Sequence, residues 1–198
     1  MEVLEQLPHI KVAPCDLHAF LKDPANKQNN KRIVISQFLT SDLVARIDGK
    51  PYDKVDYRTN SQDYVNCFNG YLDCVSWLIN GIYWEAKYPR VLSREDLKKA
   101  VISGKSRLMG LTDISADYEG SVEFTSRFTS IEEPFLLYNP HDNTFKEKIC
   151  EFSGDDILFH SVDHLPAEMP REASNHFGSK LMPFIEQVVK ANFNTPWD

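Results

Sequence analysis

The sequence predicts an α/β fold built on a parallel, doubly wound sheet. Short apolar or β-branched runs at Arg32 to Gln37 (RIVISQ), Cys74 to Asn80 (CVSWLIN) and Arg107 to Thr112 (RLMGLT) read as strands. A helical pattern opened by Ser93 stands between the last two, and this strand, helix, strand alternation is the signature of a parallel sheet. Composition supplies a core: 42% of the 198 residues are hydrophobic and 12% aromatic, against 26% charged.

Met1 to Leu7 has apolar residues at 1, 3, 4 and 7, which is helical spacing, yet no N-cap residue precedes it, so the chain reads as starting inside a helix. A short strand follows at His9 to Ala13, then a helical turn at Asp16 to Leu21 and a polar loop at Lys22 to Asn30. After the strand at Arg32 to Gln37, Asp48 to Asn60 has the composition of a loop. Ser61 to Leu72 carries Tyr64, Val65, Phe68, Tyr71 and Leu72 at 3.6-residue spacing and predicts a helix whose apolar stripe faces the core. Cys74 to Asn80 predicts a buried strand. Ser93 caps a helix through Val101, with Asp96 in the place where a capping box has Glu or Gln.

Beyond Asp113 the rhythm changes. Phe135 to Tyr138 and Phe145 to Ile149 flank the turn-rich Asn139 to Thr144 (NPHDNT), an antiparallel hairpin inserted before the strand Ile157 to Val162. Pro170 suits the first turn of a last helix with one stripe of Ala173, Phe177, Leu181, Ile185 and Val188, and Pro183 is expected to kink it. With no repeat and no linker, residues 1–198 read as a single domain.

Charge and composition exclude several roles. A net charge of -7 disfavours a nucleic-acid groove or an anionic membrane surface. The longest near-apolar stretch, Cys74 to Trp84, is far short of the roughly 20 residues that span a bilayer. Cys15, Cys67, Cys74 and Cys150 are scattered, with no Cys-x-x-Cys, and read as ordinary buried or half-buried thiols in a reduced compartment. The six histidines predict no metal site; His160 and His164 are four apart but on strand and turn.

In an open parallel sheet ligands lie beyond the carboxyl ends of the strands. The residues there are Gly81 to Glu85, Asp113 to Asp117 and Asp163 to Pro166. Asp113, Asp117 and Asp163 could accept hydrogen bonds from a ribose hydroxyl or an ammonium, act as an acid-base pair, or simply cap turns. Tyr83 and Trp84 read as pocket wall or as ligand contacts. The eight glycines form neither G-x-G-x-x-G nor a P-loop, so no backbone cradle for a pyrophosphate is present in these residues.

At these same segments the sequence resembles the lysine-ketoglutarate reductase and saccharopine dehydrogenase family. LINGIYWE (78–85), DISAD (113–117), GSVEFTSRFTSIEEPF (120–135) and SVDHLPAEMPREASNHFG (161–178) follow the family pattern in order. EVLEQLPHIKVAPCDL (2–17) resembles the helix and second strand that follow the family's glycine-rich turn. The resemblance implies an incomplete Rossmann-like doubly wound parallel sheet with the inserted hairpin and the C-terminal helix. It also implies an enzyme of lysine breakdown that condenses lysine with 2-oxoglutarate and reduces the imine with NADPH to saccharopine, relatives running the reverse with NAD. Tyr83, Ile114, Val162, Asp163, His164 and Leu165 resemble cofactor contacts, and Ser115, Ala116 and Asp117 match positions that touch the saccharopine backbone. The family's catalytic lysine and histidine lie in an N-terminal domain and its glycine loop just before the matched region. The expectation is therefore a fragment with no catalytic residue of its own, partnered in cis or trans by that domain and inactive alone. A homo-oligomer stays open. The compartment implied is mitochondrial for an animal-like enzyme and cytoplasmic for a plant-like one. Two rivals remain: a non-catalytic nucleotide- or amino-acid-binding module, and an enzyme in which the three aspartates do acid-base work without a nucleotide.

Overall fold

The computed structural model describes residues 4–27 and 31–191. They fall into two compact units, one ending at Asp163 and one starting at His164.

The first unit opens with β1 (His9–Lys11), α1 (Leu17–Lys22), α2 (Pro24–Lys27) and β2 (Ile33–Ile35). β1 and β2 pair in parallel, His9 opposite Ile33 and Lys11 opposite Ile35, so this segment is a small βαβ unit. The helix expected over Met1 to Leu7 is a single 3-10 turn, Leu4–Gln6, with Met1 to Val3 outside the described residues. α2 replaces part of the predicted polar loop, because Pro24 presets the first turn and Asp23 accepts a hydrogen bond from the Ala25 amide at 2.9 Å. Residues 28–30 of that loop lie outside the described residues.

Next come α3 (Thr40–Leu43), β3 (Val44–Arg46), α4 (Lys54–Thr59) and β4 (Tyr64–Asn66), with β3 and β4 antiparallel. Two expectations are overturned here. The stretch Asp48 to Asn60 holds α4, nucleated by Asp53, whose carboxylate accepts from the amides of Val55 and Asp56. The helix predicted over Ser61 to Leu72 is instead a 3-10 turn, β4 and a second 3-10 turn. Asn66 is the cause: its side chain accepts from the Phe68 amide at 2.8 Å and donates to the Val91 carbonyl at 2.9 Å, an alternative to helical bonding. The spacing still marked the core, since Tyr64, Phe68 and Leu72 are all buried.

β5 (Trp77–Asn80), α5 (Arg94–Ile102), β6 (Gly110–Asp113), β7 (Leu136–Asn139), β8 (Thr144–Lys146) and β9 (Ile157–His160) form the main layer, in sheet order β5-β6-β9-β7-β8. β5, β6 and β9 are mutually parallel, and the β7–β8 hairpin adds to β9 antiparallel, so the fold is the expected Rossmann-like α/β sheet with an inserted hairpin. α5 starts where expected: the Ser93 hydroxyl accepts from the Asp96 amide at 3.1 Å and lies 2.6 Å from the Asp96 carboxylate. Leu97 of α5, Leu111, Phe124, Tyr138, Ile157 and Phe159 fill the core on one face of the sheet. Phe124 and Tyr138 stack with ring centroids 4.2 Å apart.

β5 is not the buried strand expected. It is the edge of the sheet, and Trp77 and Ile79 on its outer face are 45% and 46% exposed. The Trp77 indole lies across Gly110, where a Cβ would come within 2.3 Å of the ring, and its N–H donates to Thr112 at 3.1 Å. Only glycine lets the ring lie there. The four cysteines are free, with Cys15 and Cys150 exposed rather than half-buried. Burial, and then the adjacent Asp73, push the Cys74 thiol up to about 11.

The second unit contains a 3-10 turn, Leu165–Glu168, and α6 (Pro170–Lys190). Pro170 occupies the first turn as expected, and Pro183 lies inside one continuous helix, where it has no N–H to offer the preceding turn. Phe177, Leu181, Ile185 and Val188 of the predicted stripe are exposed.

Asp156, whose side chain is fully buried, ties β8 to the start of β9. Burial pushes its carboxyl up, but Lys146 at 2.7 Å and the Ser153 amide and hydroxyl at 2.8 Å outweigh that and hold it below the ordinary value. A carboxyl depressed in the fold contributes stability above its unfolded value, near 3.8, and loses it as pH falls through the lower folded value. Asp156→Asn is expected to lower stability at pH 7 by about 3 kcal/mol, as breaking a buried pair does. It should also flatten the acid limb of the stability profile below about pH 4, both read from urea midpoints across pH.

Candidate functional site

The parallel register of β5, β6 and β9 sets Asn80 beside Asp113 and Thr112 beside His160, so the carboxyl ends of three strands share one edge. The three loops singled out in the sequence leave from that edge. Asn80 and Asp113 end their strands with buried side chains, 3% and 1% exposed. The Asn80 amide nitrogen lies 2.8 Å from Asp113 Oδ1, 2.8 Å from Ser121 Oγ and 3.1 Å from Ser115 Oγ. The Ser115 hydroxyl donates to Asp113 Oδ1 at 2.6 Å, and the Thr125 hydroxyl to Asp113 Oδ2 at 2.6 Å. Both carboxylate oxygens are therefore occupied, and the network folds residues 114–125 back over the strand ends.

The loop after β5 is fastened to the same structure. Arg90 donates to the carbonyls of Glu119 and Gly120 while its guanidinium stacks 4.9 Å above the Trp84 ring. The amides of Val91 and Leu92 both reach the Ser121 carbonyl, and Arg94 pairs with Glu119. Ala116 and Glu119 take the left-handed conformation at φ 48° and 45°, which costs on the order of 1 kcal/mol each for a residue with a Cβ. Gly120 closes the turn with its amide on the Asp117 carbonyl, and a Cβ there would come within 2.5 Å of the Asp117 Cβ.

The structure distributes the expected contacts unevenly. Tyr83 is 81% exposed and donates from its hydroxyl to Glu85 at 2.8 Å; that bond pushes the phenol up and the Glu85 carboxyl down. Ile114 is half out of the protein, its amide on the Asn80 carbonyl at 2.7 Å. Ser115 and Ala116 are half-buried and Asp117 is exposed. Val162 is buried, paired with Thr129, while Asp163 stands exposed at the end of the first unit. These seven belong to loops of the one edge. His164 and Leu165 open the second unit, His164 exposed and Leu165 starting the 3-10 turn. Of the three aspartates, Asp113 is buried with hydrogen bonds to both carboxylate oxygens, while Asp117 and Asp163 are exposed and leave from different strands.

Sequence reasoning missed Asn80, Arg90, Ser121 and Thr125. Asn80 carried a usable signal, a polar residue ending an otherwise apolar strand. The others carried none, since only folding brings Ser121 and Thr125 to Asp113. Away from the edge, a cavity of about 460 Å³ opens beyond β1, lined by Ile10, Lys11, Val12, Ala13, Asp16 and Phe20 among others.

No protein-family profile matches the chain. It is 33% identical over 214 aligned residues, 98% of the chain, to the mitochondrial alpha-aminoadipic semialdehyde synthase of Rattus norvegicus. It is 37% identical over 197 residues, 95% of the chain, to the alpha-aminoadipic semialdehyde synthase of Arabidopsis thaliana. Over 60% of the chain it is 30% identical to the NAD(+), L-lysine-forming saccharopine dehydrogenase of Candida glabrata. The chain is thus similar over nearly its whole length to part of the alpha-aminoadipic semialdehyde synthases, and over a shorter stretch to a saccharopine dehydrogenase. It spans 22% of the rat relative, 18% of the plant one and 29% of the yeast one. Within this chain, the strand edge beyond β5, β6 and β9 is the candidate site.

Replacing Asn80 by leucine would leave Asp113 and Ser121 without their shared donor. The expected cost is about 2–3 kcal/mol of stability, with faster amide exchange at Ile114 and Gly120. Gly120→Ala should loosen the same loop by displacing Asp117, with exchange at residues outside 113–125 unchanged.

Proposed function

We propose that this chain forms the cofactor-side portion of an oxidoreductase of lysine breakdown, one that condenses lysine with 2-oxoglutarate and reduces the imine with NADPH to saccharopine. The observation that carries the proposal is the shared carboxyl edge of three parallel strands in a chain similar to alpha-aminoadipic semialdehyde synthases, the place where this fold class binds its ligands.

The residues fit one end of a nicotinamide dinucleotide. Tyr83 and Ile114 offer exposed apolar surface, and Val162 and Asp163 offer a buried wall beside an exposed carboxylate. His164 and Leu165 are proposed as cofactor contacts on the family resemblance alone. No glycine-rich turn among the 198 residues suits the pyrophosphate. The nicotinamide would supply the hydride taken up at the imine carbon, with a proton going to nitrogen. Because the Ser115 hydroxyl is committed to Asp113, the loop would meet saccharopine through backbone groups of Ser115 and Ala116 and through the Asp117 carboxylate, a natural acceptor for a substrate ammonium. Turnover is proposed for an assembly that also brings the family's lysine and histidine, not for these residues alone. The cavity beyond β1 is where the adenosine ribose would lie; Asp16 there suits free hydroxyls and Lys11 a 2′-phosphate, so NAD is the alternative to NADP. A mitochondrial place of action follows the names of the animal relatives, and a cytoplasmic one is the alternative. The second reading is a nucleotide- or amino-acid-binding module without turnover.

The test is saccharopine formation from lysine, 2-oxoglutarate and NADPH or NADH, followed by loss of reduced-nicotinamide absorbance. The chain alone is compared with a longer enzyme that supplies the family's N-terminal domain and glycine loop. The expected result is turnover in the longer enzyme only, reduced at least tenfold by Asp117→Ala. Turnover in neither, with cofactor or saccharopine still bound, would favour the binding module.

A further inference from the structure

We propose that His18, Asp73 and Cys74 form a binding site for one divalent metal ion of the zinc type. His18 lies in the first turn of α1, while Asp73 and Cys74 lie in the turn that leads into β5. The structure brings them together across 55 residues of sequence: His18 Nε2 is 3.0 Å from Asp73 Oδ1, and Cys74 Sγ is 3.2 Å from the same oxygen. One ligand atom from each residue fits within a sphere where all pairs are closer than 4.8 Å.

That spacing is close to what a tetrahedral ion requires. With metal–ligand bonds of about 2.0–2.3 Å, the edges of such a tetrahedron are roughly 3.3–3.6 Å. The two pairs that share the Asp73 oxygen therefore need to open by a few tenths of an ångström to admit an ion, and His18 and Cys74 stand within 4.8 Å of each other across it. One imidazole, one sulfur and one carboxylate form a set that selects zinc-like ions over magnesium or calcium, which prefer oxygen alone. Three protein donors leave the fourth corner to water.

The donors are held by structure that does not depend on an ion. Leu17, beside His18, is buried and anchors the start of α1, and the His18 ring leans on Tyr71 with centroids 5.5 Å apart. The turn carrying Asp73 and Cys74 is set by the amides of Cys74 and Val75 on the Tyr71 carbonyl, and by Leu72, which is buried and accepts from the Arg107 amide. The His18 and Asp73 side chains are 38% and 53% exposed, so an ion has a way in. An ion bound there would cross-link α1 of the small βαβ unit to the turn that feeds the edge strand of the main sheet.

Cobalt(II), which reports thiolate coordination by a near-ultraviolet charge-transfer band and tetrahedral geometry by its visible bands, is the probe. The full chain is expected to take up one equivalent with both signatures. Cys74→Ser should remove the near-ultraviolet band and His18→Ala should weaken binding at least tenfold. Cys15→Ser, at an exposed thiol outside the cluster, should leave both unchanged. Zinc at about a hundredfold excess over its dissociation constant should raise the melting temperature by roughly 5–10 °C, and not in His18→Ala. A cobalt complex without the charge-transfer band, a band that survives Cys74→Ser, or a melting temperature indifferent to zinc would each overturn the proposal.

Discussion

Asn80 and Asp113 stand at the ends of neighbouring parallel strands with their polar groups turned into the core, and the loops of the candidate site take their shape from how those groups are satisfied. A buried carboxylate needs a full set of donors, because the cost of leaving one oxygen bare is comparable to a whole hydrogen bond. Asn80, Ser115 and Thr125 supply them, and Ser121 joins through Asn80. Each comes from a different point along the chain, so satisfying Asp113 draws residues 114–125 across the strand ends and leaves Ile114 and Asp117 facing outward. The positive φ angles at Ala116 and Glu119 are held against this anchor. Arg90 extends the arrangement to the loop after β5 by taking two carbonyls of the same turn.

Much of this was legible in the sequence. The order of β5, α5 and β6, the Ser93 cap and the β7–β8 hairpin follow from local patterns, because cap chemistry, turn residues and apolar periodicity act within a few positions of one another. The three strand-end loops could be named from the strand assignments, and the parallel register then brings their beginnings to one edge. The segment from Ser61 to Leu72 was misread because helical spacing can mark buried positions in a chain that is not helical. Tyr64, Phe68 and Leu72 do point inward, but Asn66 bonds the local backbone and ends any helix there. α4 was missed because the Asp48 to Asn60 stretch around it is mostly polar, although Asp53 provides a recognisable cap.

The role of Asp113 shows the limit most clearly. In the sequence it is one of three strand-end aspartates with equal claim to chemistry. Only the partners contributed by Ser121 and Thr125 separate it from Asp117 and Asp163, and nothing local predicts that they fold onto it. The proposed contacts with ligand at this edge therefore rest on the exposed acids, with Asp113 holding the loop that carries Asp117.

The most direct measurement is a backbone-amide NMR titration of the chain with saccharopine and, separately, with NADPH, a method that registers weak binding. The account predicts shift changes concentrated at Tyr83, at Ile114 to Asp117 and at Val162 and Asp163, joined for NADPH by residues of the cavity beyond β1, and attenuated for saccharopine when Asp117 is replaced by alanine. Changes confined to other surfaces, or none at millimolar ligand, would contradict the assignment of the strand edge as the site.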